Sequence, residues 1–268
     1  MKLKFLVSLF FLSIIGFSVA QDFEVAPVQL YFNANPGESQ NKIITIKNHS
    51  SVKSSFILSP GDFVISTEGN IDYKPANSTK HSISNWISIS PSFFDLEPNQ
   101  ERQVSVAIQP PTDETGSKWG VIYVKTTKEK TSFQAGEELS AGVTVSPMIT
   151  VQVYQTSKMN KNLKAKIDQL REIPSEDSTE RWFSAIVTNL SDIIIHCKVV
   201  LIASNMQTAQ EKQYVPVQFD SYPKNTQKII LKLPKNLEKG TYALAAVLDY
   251  GSSVNLEGTQ MIIQVPKK

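Results

Sequence analysis

The chain has 268 residues, with 27 lysines and arginines, 25 aspartates and glutamates, and one cysteine. The lysines are spread evenly among the acidic residues, which argues against a nucleic-acid partner because such partners select clustered basic surface. With a single cysteine, Cys197, the chain has no internal disulfide, so packed cores must stabilise it alone. A chain of this length suits two domains of ordinary size.

The first twenty residues have the composition of a secretory signal peptide. A basic start is followed by an apolar run from Phe5 to Phe17 and by a small-x-small cleavage site that ends at Ala20. The apolar run is too short to span a bilayer, and no later apolar run is longer. We therefore expect a signal peptide over 1–20, no transmembrane anchor, and a mature protein that is periplasmic or otherwise secreted.

Apolar and polar residues alternate at period two along most of the mature sequence, which predicts antiparallel β-structure. In the first strand the apolar residues change phase at Pro27, from odd positions such as Phe23 to even positions such as Leu30. Because one residue of slip exchanges the two faces of a strand, a break at Pro27 lets one strand serve two sheets in turn. In the N-terminal half we predict strands near 23–33, 42–48, 53–59, 85–89, 102–109, 118–126 and 142–154.

An internal repeat indicates two domains of the same kind. A strand, a polar turn that begins at Asn48 and a second strand reappear as a strand, a turn that begins at Asn189 and a second strand. The predicted fold is all-β, with two immunoglobulin-like β-sandwich domains in tandem after the cleaved signal peptide. The predicted parts are an N-terminal domain over 21–155, a hinge over 156–162 and a C-terminal domain over 163–268.

One segment of the C-terminal domain fits two kinds of secondary structure. Leu163, Ile167 and Leu170 suit a strand, but their spacing also suits a short helix. The sequence is compatible with both alternatives.

The titratable residues form no recognisable catalytic or metal motif. The histidines, His49, His81 and His196, lack metal-ligand spacing. Cys197 shares a strand face with Ile195, so its thiol is predicted to point into the core, where burial keeps a thiol unreactive. We predict a non-enzymatic protein with no catalytic residue, no metal site, no cofactor and no small-molecule substrate.

Two strands carry more apolar surface than one core face requires. Residues 119–124 are apolar on both faces, which indicates cover by the other domain or by another protein. The final strand of the N-terminal domain carries an alternating apolar row, whose members are Val143, Val145, Ile149, Val151 and Val153. This row fits either an ordinary core-facing strand or an edge that pairs with another chain.

Residues 26–32, 86–91, 94–98 and 104–110 together resemble the PapD-like family of bacterial periplasmic chaperones. The resemblance implies the PapD-like form of the sandwich fold and a protein partner that receives the apolar row as partner-binding residues. It also implies a basic pair that anchors the terminal carboxylate of the partner. In this chain Gln29 stands at the first position of that pair, and Thr150 or Gln152 stands at the second.

The same segments show a weaker likeness to WxL-interacting surface proteins. Two functions are therefore open. The first is a chaperone-like protein that binds an exported or surface subunit, by β-strand pairing, in envelope or pilus-type assembly. The alternative is a structural or adhesive module of the cell envelope.

Overall fold

The computed structural model describes residues 22–127, 147–251 and 255–266. The predicted signal peptide lies outside these ranges, as do Val143 and Val145. Strands make up nearly all of the regular structure, together with a short 3₁₀ turn at Ser84–Trp86, so the all-β prediction is confirmed. No helix in the described ranges is long and apolar enough to cross a membrane.

Two groups of strands follow one another along the chain. The first group consists of β1 (Phe23–Ala26), β2 (Gln29–Phe32), β3 (Gln40–Asn48), β4 (Ser54–Ile65), β5 (Ile71–Lys74), β6 (Ile87–Ser90), β7 (Phe93–Leu96), β8 (Glu101–Ile108), β9 (Lys118–Thr127) and β10 (Met148–Gln155). The second group consists of β11 (Ala165–Ile173), β12 (Glu180–Asn189), β13 (Ile195–Asn205), β14 (Glu211–Gln213), β15 (Val217–Ser221), β16 (Thr226–Pro234), β17 (Gly240–Asp249) and β18 (Glu257–Val265).

Each group forms a β-sandwich with its own core. In the first, β1, β3, β8 and β6 pair in that order and face a sheet in the order β2, β10, β9, β4, β5, with β7 beside β4. In the second, β11, β12 and β16 face a sheet in the order β14, β13, β17, β18, with β15 beside β13. Phe56 lies in the first core and Phe183 in the second. The predicted fold class, two sandwiches in tandem, is confirmed.

The segment that contains Leu163, Ile167 and Leu170 is mainly a strand. Ala165–Ile173 pairs antiparallel with β12 and has a bulge between Asp168 and Arg171. Ile167 and Leu170 belong to the C-terminal core. The bulge shifts the alternation by one residue, which explains why the apolar spacing also suited a helix.

The phase change at Pro27 produces the switch between sheets that the sequence predicts. β1 pairs antiparallel with β3 in one sheet, whereas β2 pairs parallel with β10 in the other. Phe23 and Leu30 both lie in the core, although one stands at an odd position and the other at an even position.

The repeated turn has the same buried asparagine in both sandwiches. The Asn48 side-chain amide donates to the Val52 carbonyl at 2.9 Å, and the Asn189 amide donates to the Ile193 carbonyl at 2.9 Å. Each side-chain oxygen accepts the backbone N–H two residues later. The two turns are therefore equivalent in structure, as the sequence repeat predicts.

Cys197 lies on β13 with its side chain in the C-terminal core. Ile195 shares this buried face, whereas His196 is exposed. Burial raises the pKa of the Cys197 thiol to about 12, because the low-dielectric core disfavours the thiolate. The predicted orientation of this thiol is confirmed.

Candidate partner-binding cleft

The sheet that contains β2, β10, β9 and β4 has one face turned away from its own core. Neighbouring strands place residues of this face side by side. Gln152 registers with Gln29, and Tyr154 registers with Tyr31. We call this surface the cleft face; its members are Gln29, Tyr31, Tyr123, Thr150, Gln152 and Tyr154.

The C-terminal domain contacts one end of the cleft face through Tyr222. The Tyr222 ring meets Trp119 edge to face with centroids 4.9 Å apart, and its hydroxyl donates to the Tyr154 hydroxyl at 3.2 Å. Phe63 completes this buried cluster, with its ring centroid 6.2 Å from that of Tyr222. The second apolar face of residues 119–124 is therefore covered at its start by the other domain, one of the two alternatives that the sequence left open.

A series of hydrogen bonds among uncharged side chains crosses the cleft face. The Tyr154 hydroxyl donates to Gln152 Oε1 at 3.1 Å, and Gln29 Nε2 donates to the same oxygen at 2.8 Å. Gln29 Oε1 accepts the Tyr31 hydroxyl at 3.0 Å. The family resemblance implies a basic pair at Gln29 and at Thr150 or Gln152, and all three of these side chains are uncharged. The cleft therefore holds a neutral, mutually bonded pair of amides at that place.

β10 is paired over its whole length on one side and over about half of its length on the other. β9 registers with Met148–Gln155, whereas β2 registers with Gln152–Gln155. The Gln152 N–H donates to the Val28 carbonyl at 2.9 Å on the β2 side, so alternation directs the N–H and C=O of Thr150 to that same side. Within the described residues no strand pairs with that side ahead of Gln152, and the edge is open there.

The structure places part of the predicted partner-binding row in the core. Val151 and Val153 are 0% exposed, and Ile149 packs partly buried against the same core. Their face of β10 packs on the sheet formed by β1, β3, β8 and β6, so Val151 and Val153 face the core. Val143 and Val145 lie outside the described residues, and partner binding by the row stays a prediction.

The opposite face of β10 carries aromatic residues that the predicted partner-binding row does not include. There Tyr31 and Tyr154 stack with centroids 5.0 Å apart, and Tyr73 meets Tyr123 edge to face at 6.3 Å. The Tyr123 ring lies against Gly61, where an added Cβ would approach the ring to 2.2 Å. The sequence does contain a signal for this face: tyrosines stand at strand positions where the alternation otherwise places polar residues.

The three histidines lie in separate surroundings. His49 bonds Glu24 at 3.0 Å, and His196 is exposed on β13. His81 stacks on Trp119 with centroids 4.4 Å apart, and burial lowers its pKa. In the part of the chain that the structure describes, no group of three or more His, Cys, Asp or Glu side chains could hold a metal ion.

No protein-family model matches the chain, and no curated protein matches it. A solved chaperone–tip adhesin complex of CFA/I fimbriae biogenesis covers 92% of this chain and 100% of its own at 9% identity, with a TM-score of 0.48. The class 5 fimbriae chaperone CfaA covers 91% and 100% at 9% identity, with a TM-score of 0.47. The E. coli chaperone DraB covers 89% and 98% at 12% identity, with a TM-score of 0.42.

Proposed function

We propose that this protein is an exported, non-enzymatic binding protein with a chaperone-like role in envelope or pilus-type assembly. It takes up an extended segment of an exported or surface subunit along the open edge of β10. The observation that carries the proposal is this half-paired edge, which borders the cleft face. The partner class follows from the sequence resemblance and from the expected signal peptide.

Main-chain pairing supplies the general attraction in this proposal. An unpaired strand edge presents donors and acceptors in register, so an extended peptide can add to the sheet as a further strand. Each such hydrogen bond contributes about 0.5–1.5 kcal/mol net. Thr150 supplies one donor and one acceptor, and Met148, half exposed beside it, offers apolar surface. Val143 and Val145 remain part of the proposal as residues that extend the contact.

The proposal is tested by removing one edge donor while the β9 ladder stays intact. Thr150→Pro deletes the N–H that faces the open edge, and proline is tolerated where the missing N–H would face solvent. Thr150→Val is the matched control, because it changes the side chain and keeps the N–H. We expect Thr150→Pro to reduce recovery of the partner from envelope extracts roughly two- to tenfold, and Thr150→Val to retain it.

Thermal unfolding of both variants establishes that each is folded before the comparison is made. A folded Thr150→Pro variant that recovers the same partner in wild-type yield would contradict docking at this edge. The envelope-module alternative predicts a different outcome: the protein would be removed by protease from intact cells, and no assembly substrate would be recovered with it.

A further inference from the structure

A cavity of about 200 Å³ lies between the two domains at the end of the cleft face. Tyr31 and Tyr154 line it from the N-terminal domain, and His196 and Asp220 line it from the C-terminal domain. This volume is below the range of about 300–1,000 Å³ that is usual for drug-sized ligands. The cavity therefore has room for a side chain.

Asp220 gives this cavity its charge. It is the carboxylate among the residues that line the cavity, and none of those residues is lysine or arginine. In the described structure its hydrogen-bond partner is the ring of His196, which is itself exposed. Burial, and after it the charge of Asp220, raises the pKa of Tyr31, so the tyrosine beside the carboxylate stays neutral. His196 also lines the cavity and forms the ion pair with Asp220 when its ring is protonated. With a neutral His196 ring, the Asp220 carboxylate attracts a cation and repels a second carboxylate.

The two tyrosines add a second preference for positive charge. The half-exposed Tyr31 ring stacks on Tyr154, and both tyrosines line the cavity. An ammonium or guanidinium group over a tyrosine ring is attracted by the negative face of the ring. A nearby carboxylate adds a charge-assisted hydrogen bond. No cation–ring contact within the described ranges involves Tyr31 or Tyr154.

We propose that this cavity receives a lysine or arginine side chain of the partner segment that lies along β10. The proposal rests on the proposed function for the source of the cation. Thr150 and Tyr154 are four residues apart on one strand, a span of about 13 Å. The cationic residue of the partner therefore stands within about four residues of the position that pairs with Thr150.

Small charged and neutral molecules can test the cavity in the absence of the partner. We would titrate the protein with N-butylguanidinium, using butyrate and butyramide as the anionic and neutral controls, and follow backbone amide chemical shifts near Tyr31 and Asp220 by NMR. N-Butylguanidinium should give saturable shifts in the millimolar range, and the two controls should not. Equal shifts with butyrate, or no saturable shift with the guanidinium, would overturn the proposal.

Substitutions assign the binding to this cavity. Asp220→Asn should weaken guanidinium binding at least tenfold, and Tyr31→Leu should weaken it severalfold by removing the ring platform. Asp113→Asn is the matched control, because it makes the same change of net charge at an exposed residue that does not line the cavity. Wild-type affinity in Asp220→Asn would refute the site. A negative result for cation binding would not affect the Thr150 test of the proposed function. That test measures recovery of the partner and does not depend on binding of a cation in the cavity.

Discussion

Replacing Tyr222 by alanine removes an aromatic ring that packs between the two domains. The side chain is buried, it meets Trp119 edge to face, and it donates to Tyr154. Covering such a side chain contributes about 1.5–3 kcal/mol, an aromatic pair adds about 0.5–1.5 kcal/mol, and the hydrogen bond adds about 0.5–1.5 kcal/mol. We expect the variant to weaken domain docking by roughly 3 kcal/mol, which is more than a hundredfold in the docking equilibrium.

Residual dipolar couplings measure this effect directly, because each domain reports its own alignment in solution. The wild-type domains should share one alignment tensor, whereas the domains of Tyr222→Ala should require two. Tyr222→Phe is the control: it keeps the ring and loses only the hydroxyl, so it should retain a single tensor. A single, unchanged tensor in Tyr222→Ala would refute the role that we assign to this ring.

Three further substitutions test individual parts of the structure. Cys197→Ser should cost about 1–2 kcal/mol of unfolding free energy, because it places a hydroxyl in an apolar core, and the wild-type thiol should react with a bulky reagent only as fast as the protein unfolds. Gly61→Ala should cost about 1–3 kcal/mol by overpacking against the ring of Tyr123, and it should cost less in a Tyr123→Ala background, because the ring is absent there; an equal cost in both backgrounds would contradict this. Asn189→Ala should cost about 3 kcal/mol in chemical denaturation, because it leaves two buried carbonyls without their donor.

The sequence predicts those features of the fold that depend on neighbouring residues. Alternation locates most strands of the N-terminal sandwich, and the phase change at Pro27 predicts the transfer of the chain between sheets. The face of β13 that contains Cys197 follows from the same alternation. These inferences succeed because the period of a strand is a local property, and burial on one face makes that period visible in the sequence.

Other parts of the sandwich carry misleading or weak local signals. β4 runs from Ser54 to Ile65, beyond the predicted end near 59. The sequence suggests the earlier end because Pro60 and Gly61 are typical of a turn. In the fold Gly61 lies within this strand. The Tyr123 ring packs against it, in the space that a side chain at this position would occupy. β5 has four residues and is mostly exposed, so the alternation of Ile71 and Tyr73 with Asp72 and Lys74 is too short to give a strong signal.

The candidate site was the least predictable part, because long-range pairing creates it. Gln29 and Gln152 are 123 residues apart in sequence, and Tyr222, which closes the cluster, belongs to the other domain. The alternating row predicts Val151 and Val153 as partner-binding residues, and both side chains lie in the core. The open edge and the tyrosines become evident only when the register of β10 with β2 is known.

Amide hydrogen exchange at Thr150 tests the central claim most directly. In the free protein the Thr150 N–H should exchange rapidly because it faces the open edge, whereas the Val151 N–H, directed towards β9, should exchange slowly. In the complex with a recovered partner, strand pairing at this edge predicts at least tenfold slower exchange of Thr150, with Val151 unchanged. Unchanged exchange of Thr150 in that complex would contradict the proposed mode of binding.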